Sequence, residues 1–151
     1  MLAMWCGSTP ARASTSRVRR SDQRRAAVWV LYQSDLLGKP LDQLWRDDTH
    51  AFTKALAQLV CEHRERLDEL IREHAVGWSL ERIAPLERSI MRVGLAELLY
   101  PDALPGEHVI PPEGAIDEAV QTAKRFCGAG APAFVNGVLG AVLRELRVRP
   151  A

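Results

Sequence analysis

The chain reads as an all-α protein, a compact bundle of six to seven helices. Three observations predict this. Apolar residues recur at spacings of three and four from Ser21 to Leu146, the period of a single helix face. Aromatic residues make up only 6% of the chain and β-branched runs are short, which disfavours sheet. Gly and Pro close most of the periodic stretches. A chain of 151 residues is long enough for one domain with a buried core and short for two.

The first helix begins at Ser21 or Asp22, both favourable N-caps, and runs to Leu37. Ala27, Val30, Leu31, Ser34 and Leu37 form its inner face; Gly38 caps it and Pro40 stops it. A short helix follows around Leu41–Trp45. Thr49 then caps the longest predicted element, about residues 50–75. Phe52, Leu56, Leu59, Val60, Leu67, Leu70, Ile71 and Ala75 draw its apolar stripe. Glu62, Glu65, Arg66, Glu69 and Arg72 occupy the opposite face, with Glu62 and Arg66 placed to pair. Gly77 closes it.

A helical turn at LERI leads to Pro85 and a helix over about 86–99 that is apolar nearly all round, the pattern of a central helix. Residues 100–112 hold four prolines and form a rigid, extended loop. Pro112 starts the next helix, which buries Ile116, Ala119, Val120 and Ala123 and ends near Phe126. After the CGAGAP loop, the last helix runs from near Pro132 to about Leu146 over Val135, Val138, Leu139 and Val142. The expected organisation is a basic flexible tail at 1–19, a helical domain at 20–147 and a short tail at 148–151.

Net charge is only +1, but its distribution is uneven. Residues 1–25 hold Arg12, Arg17, Arg19, Arg20, Arg24 and Arg25 against the single Asp22, so the body carries a net negative charge. A basic arm on a mildly acidic body suits a protein that touches a polyanion, and equally a solvated tail. Cys6, Cys61 and Cys127 are odd in number and far apart, which is a poor disulfide framework and fits a reducing compartment. Cys61 and His63 form a C-x-H fragment without a second ligand pair at zinc spacing, so neither metal nor cofactor is expected. The apolar MLAMWC start is shorter than a signal-peptide core and no stretch reaches membrane-spanning length, so a cytoplasmic protein is expected. No Ser-His-Asp or Cys-His set, P-loop or dinucleotide-binding glycine pattern can be proposed. Gly128 and Gly130 precede a helix N-terminus, which suits an anion, but such a loop is more often a simple turn.

Several segments stand in a telling order: RRAAVWVLYQSDL at 24–36, DELI, then GWSLERIAPLERSIMRVGLAELLY at 77–100. AIDEAVQTAKRF at 115–126 and PAFVNGVLGAVL at 132–143 follow. With R-x-x-L-x-E-L, E-A-V-x-x-A-K and F-V-N-G-V-L in that sequence, the chain resembles the NusB family of bacterial antitermination factors over about residues 20–146. The resemblance implies two small helical sub-bundles in one non-enzymatic domain. It also implies binding of boxA-type single-stranded RNA with NusE, a small-subunit ribosomal protein, within the transcription elongation complex.

On that resemblance, Arg19, Arg20, Arg24 and Arg25 are expected to meet RNA, since guanidinium groups neutralise phosphates and stack on bases. Phe126 and Phe134 match positions where the family presents rings to RNA, although either ring could instead be core. Lys124 and Arg125 supply phosphate contacts. Glu87 and Arg88 match the segment that faces NusE. Tyr32 is expected half-buried with its hydroxyl on a polar partner. Arg92 and Glu97, five residues apart in the most apolar helix, need partners other than each other; Glu118 is one candidate for Arg92. Asn136 is read as bracing the last helix and Gly137 as allowing close helix approach.

The chain departs from the family pattern in the AGAPA run before Phe134, in the proline-rich PDALPGEHVIPPEG connection, and in its acidic body. Two other readings share the fold. One is a protein-binding helical module, possible as a homodimer through the apolar surface of helix 86–99. The other is the NusB-like domain of a ribosomal RNA cytosine methyltransferase, which would require a catalytic domain downstream of Ala151.

Overall fold

The computed structural model describes residues 18–106 and 109–149. Arg12, Arg17, Cys6 and the rest of the expected tail before Val18 lie outside the described residues. Among the described residues six α-helices carry the fold: α1 Arg20–Leu37, α2 Ala51–Glu62, α3 Arg64–His74, α4 Pro85–Leu99, α5 Pro112–Phe126 and α6 Ala131–Val148. Single 3-10 turns lie at Leu41–Gln43, Leu80–Arg82 and Pro101–Ala103, the last inside the loop expected to be wholly extended. There is no strand among the described residues. No helix among them is long and apolar enough to cross a membrane.

The expectation of a central helix is met by α4, which touches every other α-helix. All residues from Ser89 to Glu97 are buried. This follows from composition: a helix without a polar face has no side to give to water. α1 pairs with α2, α5 pairs with α6, and α4 joins the two pairs, with α3 closing against α4 and α6. The apolar surface that suggested a homodimer is therefore consumed inside the chain.

Gly94 makes the tight packing around α4 possible. A Cβ there would lie 2.9 Å from Leu139 Cδ1 on α6 and 3.5 Å from Ala119 Cβ on α5. The sequence pattern puts close helix approach at Gly137, but a Cβ at Gly137 meets nothing within 4 Å. Asn136 beside it is exposed and makes no side-chain hydrogen bond among the described residues, so it does not brace α6.

Three boundaries differ from the sequence reading. The element expected at 50–75 is two helices, broken at His63, whose backbone leaves helical geometry at φ −110°, ψ 21°. The His63 ring stacks on Tyr100 at 3.9 Å, a tertiary contact that local pattern does not encode. Along α3, Arg66 pairs with Glu69 rather than Glu62. Thr49 does not cap α2: its Oγ1 accepts the Arg46 N–H, and His50 holds the cap position. α1 starts at Arg20, one residue early, because Ser21 and Asp22 spend their side chains on Glu118 and on Arg19 and Arg25. Its buried face is Ala27, Val28, Val30 and Leu31, while Leu37 is exposed. Gly38 caps it as expected, at φ 65° with its N–H on Ser34 O.

Candidate nucleic-acid interface

The four arginines at the start of α1 do not share one environment. Arg24 turns inward: its Nε lies 2.9 Å from both oxygens of Glu97 on α4, with side-chain exposures of 12% and 2%. Glu118 on α5 stands 4.0 Å from Arg24 Nη1 and accepts the Ser21 hydroxyl at 3.0 Å. Burial pushes the Glu97 carboxyl above its ordinary range, and the Arg24 guanidinium opposes that shift. Arg24 thus fastens α1 to α4 and α5, its guanidinium spent on Glu97 and Glu118 between the helices. Arg20 is exposed, but its guanidinium carbon stands over Phe52, 4.1 Å from the ring centroid, with Nη1 donating to Gln23. Arg19 is open, its side chain 76% exposed and in a 3.4 Å contact to Asp22. Arg25 donates to the other Asp22 oxygen at 2.9 Å. Both arginines hold the Asp22 carboxyl below its ordinary range, Arg25 most strongly.

Trp29, which the sequence pattern does not single out, links this turn to the other predicted site. Its ring meets Phe126 edge-on at 5.1 Å and Tyr32 edge-on at 5.6 Å. Phe126 is partly exposed, and the Arg125 guanidinium sits 5.3 Å from its centroid. Arg25 lies one helical turn before Trp29, so the basic turn of α1 and the Lys124–Arg125–Phe126 end of α5 form one basic, aromatic face. A tryptophan one helical turn after Arg25 is the signal the sequence offers. Tyr32 is half-buried as expected, but its hydroxyl has no hydrogen-bond partner among the described residues.

Phe134 belongs elsewhere. It packs partly against the core and meets Trp78 edge-on at 6.2 Å. With Trp78, Arg82, Ile83, Glu87 and the Gly128–Ala131 turn it lines an open groove of about 400 Å³. Phe126 and Phe134 flank the glycine loop, with Phe126 against Trp29 of α1 and Phe134 against Trp78. Glu87 projects to the groove, its carboxyl raised by burial, and its charge in turn raises the Cys127 thiol, where burial is the larger cause. Arg88 is committed instead to the fold: Nη1 donates to the carbonyls of Leu80 and Ile83 at 3.1 and 3.0 Å.

The candidate pairing of Arg92 with Glu118 does not occur. Arg92 donates to Asp68 at 2.7 and 3.2 Å and to Asp35 at 2.9 Å, with Arg64 closing the cluster on Asp35 at 2.7 Å. Arg92 and Glu97 leave α4 toward different neighbours, as their spacing requires. Cys61 is exposed and His63 is stacked on Tyr100, so the C-x-H fragment gathers no ligand set.

The chain matches the NusB family model over residues 21–144. It is 36% identical over 139 residues to the transcription antitermination protein NusB of Thermobifida fusca, covering 87% of this chain and 94% of that protein. It is 38% identical over 131 residues to the namesake from Saccharopolyspora erythraea, covering 82% and 85%. Among solved structures, a NusB from T. maritima superposes with TM-score 0.73 at 27% identity, covering 86% of this chain and 94% of that one. A structure of antitermination factors NusB and NusE in complex with dsRNA contains a chain that superposes with TM-score 0.69 at 28% identity, covering 83% and 96%. With its six-helix architecture, the order of its motifs and these matches in agreement, the chain belongs to the NusB family.

Proposed function

We propose that the α1–α5 face holds single-stranded, boxA-type RNA and that the Trp78–Glu87–Phe134 groove receives NusE. The chain is a non-enzymatic transcription antitermination factor with RNA and NusE as partners. It works on the transcription elongation complex in the cytoplasm. The observation that carries the placement of RNA is the Trp29–Phe126 contact, which joins basic residues 100 positions apart in sequence, Arg25 and Arg125, into one surface. Exposed rings flanked by guanidinium groups take unstacked bases on their faces and phosphates at their edges. The glutamate and tryptophan of the groove offer a charged and an apolar contact of the kind a folded protein partner uses.

The test is binding of a boxA-like RNA across a salt series, with and without NusE. Replacing Arg19, Arg25 and Arg125 by alanine lowers affinity and flattens the salt slope by roughly two, at about 0.7 for each single-strand phosphate no longer neutralised. An unchanged slope overturns the placement of RNA on this face. Equal binding of scrambled RNA in the presence of NusE overturns boxA recognition.

A further inference from the structure

A cluster of side chains ties the end of α3 to the last turns of α6. Glu73, His74 and Glu145 each bring one ligand atom, and these atoms lie within 4.8 Å of one another. The His74 ring is fixed from two sides: Nδ1 is 2.8 Å from the Leu70 carbonyl oxygen, and Nε2 is 2.8 Å from Glu145 Oε2. A carbonyl oxygen only accepts, so Nδ1 carries a hydrogen, and Nε2 meets the carboxylate either through a proton of its own or, once that proton is displaced, as a metal ligand. The 2.8 Å separation is that of a hydrogen bond, so a metal ion at this place takes the position of the Nε2 proton. An imidazole held by a backbone carbonyl through Nδ1–H, with Nε2 turned to carboxylates, has the orientation of a metal-bound histidine.

The surroundings favour positive charge independently of these three groups. His74 is the last residue of α3, and Glu145 lies in the last turn of α6, so two helix C-termini direct their partial negative charge toward the cluster. Arg147, the basic residue of that last turn of α6, is turned away to pair with Glu113. The side chain of His74 is only 11% exposed, so its ring is held by packing and does not need to be ordered by the ion.

We infer that Glu73, His74 and Glu145 form a binding site for a divalent transition-metal ion, Zn²⁺ by the chemistry of the donors. One imidazole nitrogen and two carboxylates give three protein ligands with a fourth position for water. The bound ion fastens α3 to α6. The site lies eleven residues along α6 from Phe134, about 16 Å at 1.5 Å per residue, and four residues before Trp78 in the chain.

The experiment titrates the full, metal-stripped chain with Co²⁺, followed by displacement with Zn²⁺. The expected result is saturation at one equivalent, a visible Co²⁺ spectrum of nitrogen and oxygen ligation without a thiolate charge-transfer band, and a rise in melting temperature with Zn²⁺. Glu145→Ala and Glu73→Ala alter exposed residues and leave the fold intact. Each lowers affinity by more than the roughly tenfold that loss of an outer-shell partner costs. His74→Ala, checked for native helicity, abolishes binding. RNA affinity is unchanged in all three. Absence of saturable binding means that a proton alone bridges His74 and Glu145, and overturns the site. Binding that survives Glu145→Ala and His74→Ala, or that shows a thiolate band from Cys61 or Cys127, overturns it as well.

Discussion

Gly94 and Gly137 both sit inside helices, yet the space around them calls for opposite behaviour. A methyl group at position 94 would press on Leu139 at 2.9 Å, and Leu139 is itself fully buried. Overpacking of that kind costs about 1–3 kcal/mol, which outweighs the roughly 1 kcal/mol that alanine gains over glycine in a helix. Gly94→Ala is therefore expected to lower the unfolding free energy by about 1–2 kcal/mol. Gly137 faces open space, so Gly137→Ala keeps the propensity gain and raises stability by about 0.5–1 kcal/mol. Chemical denaturation of the two variants checks the signs; equal signs would mean that α4 and α6 are not as close as Leu139 places them. Sequence alone could not rank these glycines, since both stand in the same helical pattern and only the neighbour across the interface tells them apart.

At the scale of elements, charged side chains buried between helices set where α1 and α3 lie on α4. Arg24 with Glu97 holds the start of α1, and Arg92 with Asp68 and Asp35 holds its end together with α3. Removing one partner of such a pair strands the other without water and typically costs about 3–5 kcal/mol, whereas replacing both by apolar groups is often neutral or stabilising. Arg24→Met is expected to destabilise by that amount, and the Arg24→Met/Glu97→Met double variant to recover most of it, as read by a thermodynamic cycle. The raised Glu97 carboxyl gives this pair a pH signature. A folded-state value above the unfolded one adds stability that is complete below about pH 4.5 and is lost as pH rises through the folded value. Glu97→Gln removes that contribution from the stability profile in mildly acidic solution. These pairs also mark how far sequence reasoning reaches. Periodicity and the Gly and Pro signals locate the helices and the central place of α4, because both follow from local pattern. The break at His63 escapes because its cause is the ring of Tyr100, 37 positions away. Arg24 falls among the expected RNA contacts because a charge count does not show which arginine points inward. Arg92 needs a partner by its burial, but choosing Asp68 and Asp35 over Glu118 requires knowing which neighbour α4 turns to each side.

For the whole molecule, one rigid central helix supports two surfaces of different character. On the α1–α5 side, Arg25, Trp29, Arg125 and Phe126 combine positive charge with one half-buried and one exposed ring; on the other, Trp78, Glu87 and Phe134 line an open groove without a basic cluster. If RNA takes the first and NusE the second, the two losses are separable. Trp29→Ala with Phe126→Ala removes aromatic area worth about 1–3 kcal/mol per stacked base, so RNA affinity falls by about tenfold or more while direct binding of NusE is retained. Trp78→Ala with Glu87→Ala does the reverse: NusE binding falls, RNA binding by the chain alone is unchanged, and only the gain in RNA affinity that NusE confers disappears. The linkage between partners is reciprocal, so the factor by which NusE tightens RNA must equal the factor by which RNA tightens NusE in every variant. Measuring all four affinities for each double variant by titration decides the matter. A groove variant that weakens RNA binding in the absence of NusE would mean that RNA crosses Phe134 and Trp78 as well, and that the two surfaces are one continuous site around the end of α5.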